Sequence, residues 1–254
     1  MKTPLSGKRA SSCAVSSNGV VDSREWGDGV RRMSRRRFIL TGFVLFGSVV
    51  LTWGRGRALG AFPYPHTLET LQYGRDREMA AYYQYVAFAR KANAEGFHGI
   101  AYLFTAFSAA EFIHAQNFNK ILVRLGVEVE PLTKPEVLVA STKENLLKAA
   151  AGERDSVDSF YPEVLRRLEG EKVPDAIAFT SYAWESEKQH REIMAKILRW
   201  APGYLERVSK KIDEESGQYF VCQFCGSTVN NVPSDLCLIC HLPSDTYRKI
   251  EAPY

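Results

Sequence analysis

Two Glu-x-x-His motifs, Glu111–His114 and Glu187–His190, constrain this 254-residue chain more than any other feature. On a helix, residues three apart lie on one face a turn from each other, so both side chains of each motif point the same way. Here that way is inward. Phe104, Phe107, Glu111, His114, Phe118, Ile121 and Leu125 follow one another at steps of three and four, which is the spacing of a buried helical stripe. Thr180, Ala183, Glu187, His190, Met194 and Ile197 repeat that spacing. Two further stripes carry one glutamate each: Leu71, Glu78 and Tyr85 with Tyr82 between them, and Leu146, Ala150, Glu153, Val157, Phe160 and Val164. The periodicity predicts helices at about 67–95, 97–125, 142–169 and 175–199, with Gly96, Gly126, Gly170 and Pro131, Pro135, Pro174, Pro202 in or near the gaps. The long gap between the second and third helices suits an all-α four-helix bundle with one crossover connection.

A carboxylate on a core stripe is costly unless it is paired or protonated, and four that converge repel one another. Bound cations resolve both problems. One Glu from each of two helices, with Glu-x-x-His from each of the other two, is the ligand set of a bundle that holds two metal ions. The candidate ligands are therefore Glu78, Glu111, His114, Glu153, Glu187 and His190. Mixed carboxylate and imidazole donors suit iron or manganese, and zinc less selectively. The spacing repeats as well: Glu78 precedes Glu111 by 33 residues and Glu153 precedes Glu187 by 34. Two similar hairpins facing each other would give a site of approximate two-fold symmetry.

Residues 67–200 resemble the rubrerythrin family through Glu78-Met-Ala-Ala-Tyr-Tyr-Gln-Tyr85, Ala110-Glu111-Phe-Ile-His114-Ala115, Glu144-Asn145-Leu146 with Gly152-Glu153, and Glu187-Lys-Gln-His190. The resemblance implies a ferritin-like fold, a di-iron site, and Tyr85 and Tyr161 beside it. It also exposes a departure. The family commonly carries a further glutamate one turn after Glu153, and this chain has Ser156 there. Asp155 and Asp158 lie about 200° and 140° round an α-helix from Glu153, so neither is an obvious substitute. The departure puts redox-dependent iron movement in doubt, while the six remaining residues still make a full ligand set.

Cys222-x-x-Cys225 and Cys237-x-x-Cys240 form two knuckles near the C-terminus, whereas Cys13 stands alone. Two paired CxxC turns in a long chain indicate a metal site rather than a disulfide framework. Four thiolates take iron or zinc tetrahedrally. Tyr219-x-x-Cys222-x-x-Cys225-Gly226 resembles the rubredoxin-like domain of rubrerythrins, which implies iron and one-electron transfer. His241 is read as a solvated neighbour of Cys240, and His66 and His98 as surface or capping residues. Lys210–Ser216 is read as a charged link.

Charge is uneven along the chain. Residues 1–60 carry eleven Lys/Arg against three Asp/Glu, a surplus of +8, so the overall +4 leaves residues 61–254 at −4. The basic character belongs to the N-terminal segment, and nothing points to nucleic acid. Arg35, Arg36 and Arg37 precede an apolar run from Phe38 to Trp53 and a small-residue stretch, Ala58-Leu59-Gly60-Ala61. These are the parts of an export signal, here with a twin-arginine-like core, Ser34 to Leu40. The run is short of the roughly 20 residues of a membrane span, although a short anchor is the alternative. Cleavage is expected after Gly60, and translation could begin at Met33. Three segments follow: 1–60 as a disordered extension and signal, 61–209 as the di-iron bundle, and 217–254 as the rubredoxin-like domain.

The expected protein is an exported, periplasmic di-iron oxidoreductase that reduces hydrogen peroxide. Electrons would come from an external donor through the four-cysteine iron, and the resemblance implies a homodimer. A ferroxidase or iron-handling protein acting on oxygen is the alternative, and a zinc-stabilised module without turnover is a third. Membrane contact is expected only through an uncleaved signal.

Overall fold

In a computed structural model, the described residues are 63–131, 134–200, 209–210 and 217–253. The expected export signal in 1–60, and residues 211–216 of the expected link, lie outside them. Among the described residues the bundle is built from α1 (Pro65–Ala94), α2 (His98–Arg124), α3 (Thr142–Asp155), α4 (Tyr161–Leu168) and α5 (Pro174–Trp200). Helices α3 and α4 together stand where the periodicity predicts a single one. Helix α1 pairs along its length with α2, and an extended crossover leads to α3. No helix among the described residues is long and apolar enough to cross a membrane.

The helix ends are secured by distant as well as local groups. Glu171 accepts hydrogen bonds from the backbone N–H groups of His66 and Thr67 at 3.0 and 2.7 Å, so it satisfies two orphan donors at the start of α1. Ser141 and Glu144 form a capping box on α3. The α1–α2 turn passes through Gly96 at φ +81°, a conformation in which a β-carbon would be strained. His66 and His98 are both exposed, as expected, and His98 opens α2 with its ring against Asn93.

The expected third helix is interrupted. Ser156–Phe160 forms a π-helical turn between α3 and α4. Pro162 explains it, because proline has no N–H to donate and its ring crowds the carbonyl four residues back. Tyr161 N–H bonds instead to the carbonyl of Ser156, five residues back. The bypassed carbonyl of Val157 is taken by Trp184 Nε1 of α5 at 3.0 Å. The apolar period gives no sign of this interruption, because it runs unbroken through Pro162. Turns of this kind recur at functional sites.

Two apolar clusters fill the bundle. Tyr85, Phe88, Phe104, Phe107, Leu146, Met194 and Ile197 belong to one, and Leu71, Phe118, Ile121, Leu122, Tyr161, Val164 and Leu168 to the other. Each buried Phe contributes roughly 1.5–3 kcal/mol by leaving water. On α1 and α2 the glutamates and His114 fall between the two clusters, in a dry belt across the middle of the bundle.

The C-terminal module is a three-stranded antiparallel sheet in the order β2-β1-β3, with β1 Phe220–Cys222, β2 Thr228–Val229 and β3 Tyr247–Lys249. It packs directly on the bundle. Val221 is fully buried against Ala110 and Ile113 of α2. Tyr102 donates its hydroxyl to the Ile250 carbonyl at 2.7 Å, and Asn117 donates to the Phe224 carbonyl at 2.7 Å.

Candidate metal centre

All six candidate bundle ligands converge, each no more than 3% exposed. They form two overlapping groups: Glu78, Glu111, Glu187 with His114, and Glu111, Glu153, Glu187 with His190. Within each group the ligand atoms lie within 4.8 Å of one another. Glu111 and Glu187 belong to both groups, so they are the carboxylates that two ions would share. Glu78 with His114, and Glu153 with His190, form the two ends.

The distances suit cations. His114 Nδ1 is 3.0 Å from Glu111 and 3.4 Å from Glu187, and His190 Nδ1 is 3.3 Å from Glu111 and 3.6 Å from Glu153. Donors about 2.1 Å from a shared ion are separated by roughly 3.0–3.4 Å for angles between octahedral and tetrahedral. His190 Nδ1, Glu153 Oε2 and Glu187 Oε1 are buried without hydrogen-bond partners. Such orphaned atoms are costly unless an ion engages them.

Electrostatics carries the same message. Burial pushes the Glu187 carboxyl well up, and the charges of Glu111 and Glu153 push it further. Burial raises Glu78 to about 7 despite the nearby His114 imidazole, 3.9 Å away. Burial also acts on Glu111, but His114 and His190 outweigh it and hold that carboxyl low. Burial would lower both imidazoles, yet the surrounding carboxylates raise His114 and bring His190 up to about 9. A cluster that neutralises itself by taking up protons is one that cations would neutralise instead.

Each end carries a tyrosine. Tyr161 donates to Glu78 at 2.7 Å, and Tyr85 donates to Glu153. Burial and the neighbouring carboxylates push both phenols well above their usual range, so they keep their protons. Tyr85, Glu153 and His190 thus mirror Tyr161, Glu78 and His114, in keeping with the two-fold arrangement expected from the spacing. The position of Tyr161 follows directly after the π turn.

Ser156 is buried, and its hydroxyl accepts from Arg77 at 3.1 Å. Arg77 also pairs with Asp155 at 2.8 Å and lies over the Phe160 ring. Asp158 pairs with Arg191 at 2.7 Å. Both aspartates are therefore committed to ion pairs outside the ligand groups, and neither replaces the missing carboxylate.

Cys222, Cys225, Cys237 and Cys240 form a third buried group. Their sulfurs approach at 3.8 Å (Cys222–Cys240) and 3.6 Å (Cys225–Cys237), far beyond a disulfide bond. Four sulfurs about 2.3 Å from one ion in tetrahedral geometry would be about 3.8 Å apart. The two knuckles share one hydrogen-bond pattern, Gly226 N–H to Cys222 O at 2.9 Å and His241 N–H to Cys237 O at 3.0 Å. Both residues have positive φ, +82° and +58°. His241 faces solvent and takes no part in the group.

Gly226 faces inward onto the bundle, where a β-carbon would overlap His114 Nε2. The four-cysteine knuckle is thus seated on an imidazole of the carboxylate cluster. Gln189 Oε1 accepts from Ser227 Oγ and Thr228 N, and Ser186 donates to the Gly226 carbonyl at 2.9 Å. Ser186, Gln189, Asn117 and Thr228 escape a reading of the sequence. Their only signal is small or polar residues beside the ligand stripes, which surface positions show equally. Gly226→Ala is expected to lift the knuckle off α2 and α5. Metal content should be kept, but transfer of electrons from the reduced four-cysteine iron should slow by at least about tenfold, because a displacement of about 1 Å that begins far from the chemistry can cost a factor of 10². Stopped-flow oxidation of that iron's visible band measures this, and an unchanged rate would refute a role for the close seating.

Comparison with known proteins agrees with this geometry. The rubrerythrin family model matches residues 69–198. The chain belongs to the rubrerythrin family. Nigerythrin of Nitratidesulfovibrio vulgaris is 30% identical over 185 residues, covering 71% of this chain and 85% of the relative. Rubrerythrin of Porphyromonas gingivalis is 27% identical over 179 residues, covering 70% and 86%. The solved structure of fully reduced, all-ferrous nigerythrin superposes with a TM-score of 0.59 at 27% identity, over 72% of this chain and 86% of that one. An engineered closed form of Archaeoglobus fulgidus ferritin, 15% identical with a TM-score of 0.51 over 57% of this chain and 93% of that one, shares the fold. Rubrerythrins carry a di-iron site and a rubredoxin-like iron site, and this rubrerythrin presents the matching carboxylate–histidine cluster and four-cysteine group. The family is one of di-iron oxidoreductases.

Proposed function

We propose that this rubrerythrin reduces hydrogen peroxide: each molecule takes two electrons and two protons and leaves as two waters. The observation that carries the reading is the seating of Cys225-Gly226 on His114, which puts an electron-carrying site against the carboxylate cluster. Glu78, Glu111, His114, Glu153, Glu187 and His190 would hold two irons, and Cys222, Cys225, Cys237 and Cys240 a third. A ferrous pair, when bound, supplies one electron from each ion. The protein supplies the surroundings. Glu111 and Glu187, which belong to both ligand groups, would hold the two ions together. Tyr85 and Tyr161 hold their protons at the phenolic oxygens and orient the outer oxygens of Glu153 and Glu78. Phe88, Phe104 and Phe107, all fully buried, keep bulk water from one side of the cluster.

The reading includes an external donor that reduces the four-cysteine iron and assembly as a homodimer, which is typical of rubrerythrins. It includes export through the twin-arginine-like segment, supported by Arg35–Arg37 and the apolar run to Trp53. Ser156 in place of a carboxylate favours a second reading, a ferroxidase that uses oxygen.

The test is metal analysis and stopped-flow spectroscopy on purified, reduced protein. Iron at all three sites, with reoxidation faster by peroxide than by oxygen, is the expected result. Faster reaction with oxygen would replace it with the ferroxidase. Colourless protein that holds only zinc after anaerobic iron loading would overturn both.

A further inference from the structure

The two imidazoles of the cluster are treated differently by the cysteine module. His190 Nε2 lies 3.1 Å from Thr228 Oγ1, whereas His114 Nε2 is buried against Gly226 without a hydrogen-bond partner. Counting protons settles the direction of the first bond. A threonine hydroxyl has one proton to give. Thr228 Oγ1 donates it to the Gly226 carbonyl at 3.1 Å, so toward His190 it has only a lone pair to offer. The proton of that bond then sits on His190 Nε2, and Nδ1, which faces Glu111 and Glu153 at 3.3 and 3.6 Å, is the nitrogen left to ligate an ion. The hydroxyl is itself well anchored, because Thr228 N–H is bound to Gln189 Oε1 at 3.0 Å and Thr228 is 3% exposed. Phe107 stacks on the His190 ring at 4.1 Å between centroids and blocks rotation out of this plane. Partners that fix the tautomer and orientation of a ligating histidine are worth about 10–100-fold in metal affinity.

We propose that Thr228, contributed by the cysteine module, is a positioning residue that latches His190 and makes the two metal positions unequal. The ion held at the Glu153–His190 end binds first and leaves last, and the ion at the unlatched His114 end is the exchangeable one. The inference rests on the paired-metal reading of the cluster but not on peroxide as substrate, since its test needs no turnover.

The test uses the full chain with the four-cysteine site loaded and the carboxylate cluster stripped, titrated with cobalt(II) as a coloured probe. The wild type should fill in two resolved steps. Thr228→Val keeps the side-chain volume but loses the lone pair, and should weaken the first step by about 10–100-fold so that the steps merge. Thr228→Ser should restore two steps. In zinc-loaded protein, the His190 Nε2–H proton resonance should lie far downfield, move upfield in Thr228→Val and return in Thr228→Ser. The four-cysteine absorption reports in each variant that the module is still folded. Two steps retained in Thr228→Val, or Thr228→Ser behaving like the valine variant, would overturn the latch and leave Thr228 with a packing role.

Discussion

Glu111→Gln is expected to empty the paired-metal site while the four-cysteine iron stays in place. Glu111 belongs to both ligand groups, and its two oxygens face different imidazoles, His114 at 3.0 Å and His190 at 3.3 Å. Glutamine preserves the volume and the helix but replaces one of those oxygens with an amide that cannot ligate. Both ions then lose a donor and the charge that bridges them. Metal analysis should fall from an iron at each of the three sites to the four-cysteine iron alone. Reaction of the reduced protein with peroxide should fall by about 10³-fold or more, the scale of the several kcal/mol a metal supplies. Retention of all the iron would show that Glu111 is not a bridging ligand.

Cys237→Ser is expected to act through the other site and with a different signature. Its sulfur closes the four-cysteine group, lying 3.6 Å from Cys225 and accepting from the Tyr247 hydroxyl at 3.2 Å. A structural tetrathiolate metal contributes about 10–16 kcal/mol to such a small module, which exceeds what its own core can supply. Loss of the ion should therefore unfold the module and uncover the face of α2 around Ala110 and Ile113 that Val221 covers. The visible iron–thiolate absorption should vanish, and turnover driven by an external donor should stop. Chemically reduced protein should still react once with peroxide, because all six bundle ligands lie outside the module and losing Thr228 weakens metal binding without removing a ligand. A variant that still turns over with its donor would remove the electron-relay role from the cysteine site.

Much of this architecture is legible from spacing alone. Steps of three and four place Glu78, Glu111, His114, Glu153, Glu187 and His190 on buried stripes, and a buried carboxylate without a partner is so costly that four of them imply cations. Tyr85 and Tyr161 come through resemblance, and the structure sets each against a terminal glutamate. The π turn at Ser156–Phe160 does not follow from the stripes, although Pro162 announces it, because an apolar stripe does not report where backbone donors are missing.

By itself, then, the sequence determined which side chains must share an interior and that a four-thiolate site lies near the C-terminus. Local periodicity and ligand chemistry suffice for that. Only the tertiary structure decided which carboxylates belong to both ligand groups, which tyrosine meets which glutamate, and that Gly226 and Thr228 of the cysteine module rest on His114 and His190. Those pairings join residues more than a hundred positions apart in one case and 38 in the other, through surfaces with no period of their own, so they exist only once the module has docked on the bundle.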